Sequence, residues 1–364
     1  MIKIKRLLLT VLSGTLFLGQ PLYAGNPDRA GQAGAYELLI NPFARSSGWG
    51  GVNFANANGI EAMRLNVAGL SSAENTEVSF TKDVWLQLQG ANIGVSDLAF
   101  AQKLGKNGGV LGINLLGMSF GDIPITTTGV PDVVNGQATL GTFKPQYYNF
   151  SLCYSKKVSQ SIQGGFGITG ISEQIPNAKA QGLALDAGIQ YTPVAQPQIH
   201  FGISLRNVGV GMGFGGDGIS FTGASQGGGY TQVEQMRTAQ FELPSQLNIG
   251  GAYDFKFNKI DENYFMHRLT IDAAFISNSY SADQYGIGVE YCYREMFMLH
   301  TGYRYQAGML SNTQVHTNVY TGVSAGFTFI VPLKKDGPKL GIDYSYRTTN
   351  PFFGTHSIGV SIAL

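Results

Sequence analysis

The last eight residues of the chain read Ser357-Ile358-Gly359-Val360-Ser361-Ile362-Ala363-Leu364, and this stretch decides the fold. Large apolar residues alternate strictly with small or polar ones, which is the two-residue period of a β-strand that has one apolar face. A strand that crosses a bilayer in a barrel turns its apolar face to lipid and its small or polar face to the lumen. The stretch therefore predicts a strand of a transmembrane β-barrel.

The same period recurs through most of the sequence after residue 75. Between Tyr148 and Tyr154, for example, aromatic and aliphatic residues alternate with Asn, Ser and Cys. Six ionisable residues fall on inner faces: Asp186, Asp254, Asp272, Glu290, Arg304 and Asp343. Charged groups are costly in the dry core of a β-sandwich and cost little in a wet lumen. The pattern therefore favours an all-β, antiparallel transmembrane barrel over a secreted soluble sandwich.

Counting these segments predicts about fourteen strands, an even number as expected for bacterial barrels. We place them near residues 76–81, 88–100, 109–121, 146–156, 161–172, 181–192, 199–208, 245–257, 266–277, 283–293, 297–305, 318–330, 339–347 and 355–364. The lengths of the connections agree with this count, because long and short ones alternate. The long ones are Asp122–Pro145, Gly209–Pro244 and Gln306–Thr317, and the short ones are Ser155–Gln160, Arg294–Met296 and Pro332–Pro338. Barrels of this kind have short periplasmic turns and longer outer loops.

The composition supports a membrane barrel and argues against some partners. Gly accounts for 50 of 364 residues, Tyr and Phe for 40, and charged residues for only 13%. The formal net charge is +1 with the first 24 residues and −2 without them, because these carry three basic and no acidic residues. A balance this close to neutral argues against a nucleic-acid partner. Outer-membrane lipid is the partner that the composition favours.

The first 24 residues have the order of a secretory leader. Basic Lys3, Lys5 and Arg6 precede an apolar run, and Ala24 follows as a small residue before a cleavage point. The apolar run is shorter than the roughly 20 residues that a membrane-spanning helix needs. We therefore expect a signal peptide that is removed, and a mature protein in the outer membrane.

The segment from residue 25 to residue 75 does not alternate and is rich in Gly, Asn and Ala. It could be a disordered tail. A compact plug inside the barrel is favoured, because about eight strands already enclose the space that side chains alone can fill. The predicted division is a signal peptide over 1–24, a plug over 25–75 and a barrel over 76–364. The candidate functional residues of the plug are Arg45, Trp49, Asn53 and Asn66.

Two short motifs resemble sites of chemistry. Gly211–Gly216 fits the glycine pattern of dinucleotide-binding proteins, but the residues that follow are unsuited to the required helix. Gly322–Gly326 fits the nucleophile-elbow pattern around Ser324, but the stretch continues as a strand instead of turning into a helix. The sequence therefore predicts no catalytic residue, no cofactor and no metal site, and a protein that is not an enzyme.

Three histidine and cysteine features have structural interpretations. His300 is expected near Glu290 and Arg304 as part of a polar network in the lumen. Cys153 and Cys292 fall on inner faces of distant strands, so they are predicted to be free thiols. The five histidines are dispersed, without the spacing of a helical metal site.

The long loop Gly209–Pro244 is the candidate binding element on the outer side. It carries four aromatic residues, Phe214, Phe221, Tyr230 and Phe241. Exposed aromatic side chains on an outer loop suggest a protein partner. The alternative is that they pack against the rim of the barrel, and the sequence leaves both possibilities open.

Two passages carry a family resemblance. The stretch Leu38-Leu39-Ile40-Asn41-Pro42-Phe43-Ala44-Arg45-Ser46-Ser47-Gly48-Trp49-Gly50-Gly51, followed by Asn66-Val67-Ala68-Gly69-Leu70, resembles the PorV/PorQ family, which lies within the FadL-like barrel group. The family often has Pro where this chain has Val67. The resemblance covers most of the chain after the leader. It implies a fourteen-stranded FadL-like barrel with an N-terminal plug.

The resemblance also implies a role in the type IX secretion system. Relatives there bind the large translocon barrel and accept secreted cargo that carries a C-terminal signal domain. The alternative is a FadL-like channel for small hydrophobic molecules. That alternative predicts an apolar pocket near the plug, and an opening beside the plug or through the barrel wall. The sequence leaves open a local pocket near Trp49, Phe54 and Met63.

Overall fold

The computed structural model describes residues 25–88, 91–105, 108–127, 133–134, 137–138, 140–224, 229–260, 265–307, 309, 319–334, 337–349 and 354–364. The predicted leader over 1–24 lies outside these residues. Among the described residues, no helix is both long enough and apolar enough to cross a membrane.

Fourteen antiparallel strands in the described part of the chain form one closed barrel in sequence order. Labelled β1 to β14, they are Thr76–Leu88, Ala91–Lys103, Val110–Ser119, Gln146–Lys157, Ile162–Ile175, Ala178–Tyr191, Ile199–Gly209, Gln246–Lys259, Phe265–Asn278, Gln284–Tyr293, Phe297–Gln306, Gly322–Pro332, Lys339–Arg347 and Thr355–Ala363. The barrel closes where β1 pairs with β14, from Glu77 opposite Ala363 to Val84 opposite His356. The predicted strand number and fold class are confirmed.

The predicted strand bounds are wrong mainly at β1, β2 and β12. β1 continues to Leu88 instead of ending at residue 81, and β2 shifts towards later residues with it. A register shift between Val84 and Leu86 interrupts the alternation there. The second half of β1 therefore does not show the two-residue period by which strands are predicted. β12 begins at Gly322 instead of at residue 318.

The two faces of the barrel wall differ as the alternation predicts. Apolar side chains such as Phe80, Phe150 and Phe166 stand half exposed on the outside. Asp97 and Asn149 are almost fully buried on the inside. A closed barrel with an apolar outer surface leaves no unpaired strand edge in lipid, and it is the architecture of an outer-membrane protein.

The long connections all leave the same end of the barrel, as predicted. Residues 120–145, 210–245 and 307–321 lie between strands at one end, and the six connections at the opposite end have between three and seven residues each. The first end is therefore the outer end and the second is the periplasmic end. Short strands in the long loops pair as Ile123–Pro124 with Thr142–Phe143, Val133–Val134 with Gln137–Ala138, and Ser220–Ala224 with Thr231–Gln235.

Residues 25–75 lie inside the barrel and run from its outer end to its periplasmic end. The backbone N–H of Asn26 donates to Asn278 at the outer end of β9, over 3.2 Å. The segment contains one α-helix, α1 (Ala44–Gly48), which contacts β11 to β14. Its other helices are short 3-10 turns at Pro27–Arg29, Tyr36–Leu39, Gly59–Arg64 and Val67–Ser72. A further 3-10 turn, Asp217–Ile219, lies in the long outer loop.

Glycines that face the lumen allow the plug to touch the barrel wall. A methyl group added to Gly302 would collide with the backbone carbonyl of Trp49, and one added to Gly202 would collide with the carbonyl of Phe54. One added to Gly188 would collide with the side chain of Asn66. These three glycines lie on β11, β7 and β6, so the plug is in backbone contact with several sides of the wall. The high glycine content serves this close approach.

We predict that Gly302→Ala destabilises the protein by about 1–3 kcal/mol, because the added methyl overpacks the contact with Trp49. Urea titration in lipid vesicles measures the free energy of unfolding. The matched control is Gly251→Ala on β8, where the nearest atom to an added methyl is 3.8 Å away. Equal stability of the two variants would contradict the proposed close contact.

Candidate functional site

The carboxylate of Glu290 is the centre of the contact between plug and wall. It lies on β10, and its side chain is fully buried. From the plug, Arg45 donates two hydrogen bonds to its two oxygens, both 3.1 Å long, and the indole N–H of Trp49 donates a third of 3.0 Å. From β9, Arg268 lies 3.3 Å away. Two guanidinium groups and an indole therefore compensate one buried carboxylate.

The predicted network around His300 is confirmed only in part. His300 Nδ1 lies 3.9 Å from Glu290. Arg304 is not part of this group, because it donates instead to the carbonyl of Gly51 in the plug, over 2.8 Å. Its side chain points from β11 towards the outer half of the lumen, away from the level of Glu290.

Asn66 connects the lower plug to the wall. Its side-chain N–H group donates to the carbonyls of Phe54 and Ile189, over 3.0 and 3.1 Å. Its side-chain oxygen accepts from the backbone N–H of Ala68 and so caps the turn Val67–Ser72. Asn53, the fourth plug residue singled out in the sequence, is buried, and its side-chain oxygen has no hydrogen-bond partner among the described residues.

A cavity of about 700 Å³ lies between the plug and the wall in the periplasmic half of the barrel. It reaches the rim, because its lining includes Lys339 and Ala363 at the periplasmic ends of β13 and β14. Part of the lining is apolar: Phe43, Ile60, Met296, Met298 and Ile330. The volume and the apolar surface suit a small hydrophobic molecule.

A second cavity of about 520 Å³ lies beside the first and is lined mostly by polar residues. Among them are Asn53, Asn56, Gln163, Gln190, His200 and Asp254. The two cavities share Arg45, Glu61 and Arg268. Burial raises the pKa of Glu61 to about 7, although Arg45, 3.4 Å away, opposes that shift. The charge of the shared wall therefore changes near neutral pH.

A partly apolar cavity lies beside the plug, as the channel alternative expects, but away from Trp49, Phe54 and Met63. All three side chains are buried, and Phe54 and Met63 belong to one packed apolar cluster. Trp49 lines the second, mostly polar cavity and Phe54 lines a small cavity in the outer half, and none of the three lines the larger cavity. The larger apolar cavity lies lower, towards the periplasm.

The residues that line that cavity were missed in the sequence. Met298 and Ile330 occupy inner-face positions of β11 and β12, where the alternation calls for small or polar residues. An apolar residue at an inner position is the signal that could have identified them.

The four aromatic residues of the outer loop separate into two pairs. Phe214 and Phe241 pack against each other, with ring centroids 5.8 Å apart, and against an apolar cluster that includes Leu38 of the plug. Phe221 and Tyr230 stand exposed on the hairpin formed by Ser220–Ala224 and Thr231–Gln235. The first pair holds the loop onto the rim, and the second pair remains available for contact.

The motifs that resemble sites of chemistry have structural roles. Ser324 lies within β12 and donates to the carbonyl of Gly48 at the end of α1, over 3.0 Å. After Gly216 there is only the three-residue turn Asp217–Ile219, which offers no helix for a pyrophosphate. Cys153 and Cys292 are free and buried, as predicted. No group of three His, Cys, Asp or Glu side chains among the described residues could hold a metal ion.

We predict that Glu290→Gln destabilises the protein by about 3 kcal/mol, because it leaves the two partly buried guanidinium groups of Arg45 and Arg268 without their carboxylate. Release of the plug is followed by the fluorescence of Trp49 in a Trp85→Phe background, since the chain has only two tryptophans. The control is Glu74→Gln, which removes an exposed ion pair with Lys339 and is expected to cost less than about 1 kcal/mol. If Glu290→Gln lost as little stability as the control, the contacts of Arg45 and Trp49 with Glu290 would not hold the plug.

The sequence matches no protein-family model and no curated protein. Its structure is similar to that of the "CymD monoaromatic hydrocarbon channel", with a TM-score of 0.51 and 13% identity over 89% of this chain and 97% of that one. It is equally similar to the toluene transporter TodX of Pseudomonas putida, with a TM-score of 0.51 and 12% identity over the same shares. At this identity the similarity is one of fold. The chain has the FadL-like fold, a closed fourteen-stranded outer-membrane barrel with an N-terminal plug.

Proposed function

We propose that the protein is an outer-membrane channel through which small hydrophobic molecules pass. The observation that carries this proposal is the cavity of about 700 Å³ between plug and wall, with its partly apolar lining and its reach to the periplasmic rim. Two proteins that share the fold are described as a monoaromatic hydrocarbon channel and a toluene transporter. A monoaromatic hydrocarbon is therefore the first substrate class to test.

The plug closes the lumen above this cavity. α1 and Trp49 are buried between the cavity and the outer end, and both are held by contacts to β10, β11 and β12. A molecule that passes between the outer end and the cavity requires these contacts to loosen. The hydrogen bonds from Arg45 and Trp49 to Glu290 are among these contacts. We therefore expect movement of the plug and release of the Arg45–Glu290 ion pair to occur together.

We predict that Ile330→Trp lowers uptake of a radiolabelled monoaromatic hydrocarbon several-fold, because the indole fills the cavity that Ile330 lines. Uptake is measured in cells that produce each variant at equal level in the outer membrane. Val331→Trp is the matched control. It makes the same substitution at the next residue, whose side chain is exposed on the lipid face.

The two variants separate a blocked cavity from a damaged barrel. Reduced uptake in Ile330→Trp with normal uptake in Val331→Trp supports the channel. Normal uptake in both variants, or no uptake above that of cells lacking the protein, would contradict it.

A second candidate function is protein binding within the type IX secretion system, which the sequence resemblance implies. The exposed side chains of Phe221 and Tyr230 on the outer hairpin are the specific observation in its favour. The partners in this proposal are the translocon barrel and the C-terminal domains of secreted cargo. Phe214 and Phe241 are excluded from the contact surface, because they pack on the rim.

We predict for this second function that Phe221→Ala combined with Tyr230→Ala abolishes co-purification of a large barrel or of cargo proteins from native outer membranes in mild detergent. The matched control is Phe166→Ala, which removes an exposed aromatic side chain from the lipid face of β5. Recovery of the wild-type protein without any protein partner would argue against this function and leave the channel proposal standing.

A further inference from the structure

Three arginines meet in the outer half of the lumen, at a place that neither large cavity reaches. Arg206 comes from β7, Arg304 from β11 and Arg347 from β13. Together they line a small cavity between wall and plug. Its other lining residues are Leu39, Asn41, Gly51, Phe54, Leu65, Gln246 and Tyr320, of which all but Leu39 are buried.

The hydrogen bonds of these arginines leave part of each guanidinium group unused. Arg206 donates to the carbonyl of Leu38 over 3.3 Å, Arg304 to that of Gly51 over 2.8 Å, and Arg347 to that of Asn41 over 3.2 Å. The Nε atoms of Arg304 and Arg347 are buried and have no hydrogen-bond partner among the described residues. Arg347 itself is only 5% exposed.

In the part of the chain that the structure describes, none of these arginines has a direct ion pair, although Asp186 interacts electrostatically with Arg206 and Asp83 with Arg347 at longer range. Within the described residues, none of the three has a carboxylate oxygen within 4.0 Å, whereas Arg45 and Arg268 both pair with Glu290. The connections that follow β11 and β13 add none, because residues 307–321 and 348–354 contain neither Asp nor Glu. Arg347 lies over the ring of Tyr320, with its Cζ 4.0 Å from the centroid. A ring face attracts a cation but does not neutralise three of them.

Three cations against these two carboxylates leave one positive charge in excess, and an uncompensated buried charge is strongly disfavoured, so one anion is expected at this place. The size of the cavity identifies the class of anion that it can hold. The volume is about 20 Å³, and about 10–15 Å³ is the space that one water molecule needs. A carboxylate or a phosphate is too large for it. A monatomic anion is only slightly larger than water and is compatible with it.

We propose that this cavity binds a single halide ion, chloride under physiological conditions, between the Nε–H groups of Arg304 and Arg347 and the guanidinium of Arg206. The anion neutralises part of the buried positive charge. It also joins three strands of the wall to the plug, because each arginine already donates to a plug carbonyl. The site does not depend on the function proposed above, since it lies outside both large cavities.

The direct test is diffraction from crystals of the full-length protein grown in sodium bromide, with data collected at the bromine absorption edge. The expected result is an anomalous peak within hydrogen-bonding distance of Arg304 Nε and Arg347 Nε. A cavity that contains a water molecule or no density under these conditions overturns the proposal.

A solution test uses the same protein in detergent. Its melting temperature is compared in sodium chloride and in sodium gluconate at equal ionic strength. We expect chloride to raise the melting temperature of the wild type by several degrees, and Arg304→Met to remove most of this difference. Arg268→Met is the matched control, because it removes a partly buried lumen arginine that pairs with Glu290 and Glu295. That variant is expected to melt lower and to keep its response to chloride.

The two tests are contradicted by different results. An unchanged chloride response in Arg304→Met, or no response in the wild type, contradicts the site. If Arg304→Met does not fold, the bromide experiment on the wild type decides alone. Uptake of hydrocarbons plays no part in either measurement, so the channel proposal stands or falls separately.

Discussion

A closed barrel of fourteen strands encloses more space than the side chains of its own wall can fill, and the rest of the structure follows from this constraint. The chain fills the lumen with its own residues 25–75. Filling it at the packing density of a protein interior requires contact between backbones, which glycines such as Gly202 and Gly302 permit. It also requires hydrogen-bond partners for the polar groups on the inner face of the wall. Arg45, Trp49 and Asn66 of the plug provide such partners.

Charge is distributed unevenly along the axis of the lumen. The carboxylates Glu290 and Asp343 lie among residues of the periplasmic half, with Arg45 and Arg268 beside Glu290. The outer half holds Arg206, Arg304 and Arg347, which hydrogen-bond to plug carbonyls. Direct ion pairs attach the plug at the periplasmic level, whereas at the outer level arginines attach it through carbonyl oxygens and have carboxylates only at longer range. A change in salt concentration is therefore expected to affect the attachment of the plug differently at the two levels.

The sequence predicted the barrel well because alternation is a local property that each strand displays by itself. It placed β1 poorly, because the irregularity at Val84–Leu86 breaks the pattern without ending the strand. Arg45 and Trp49 were recognised as plug residues, but their common partner Glu290 is about 240 positions away in the chain, so the pairing could not be read from spacing. The apolar cavity was missed for the same reason. Its lining combines plug residues with strand ends that meet only in the closed barrel.

The path of the plug has a consequence for biogenesis. Residues near Asn26 lie at the outer end, whereas Ala73 precedes β1 at the periplasmic end, so the segment spans the lumen before the first strand begins. The part around α1 and Trp49 packs against wall residues on several strands, β10 to β14. Threading such a segment through a finished cylinder would require breaking those contacts in turn. The pairing of β1 with β14 is the last seam of the cylinder in sequence order. We therefore expect insertion of residues 25–75 and closure of the barrel to be coupled during assembly.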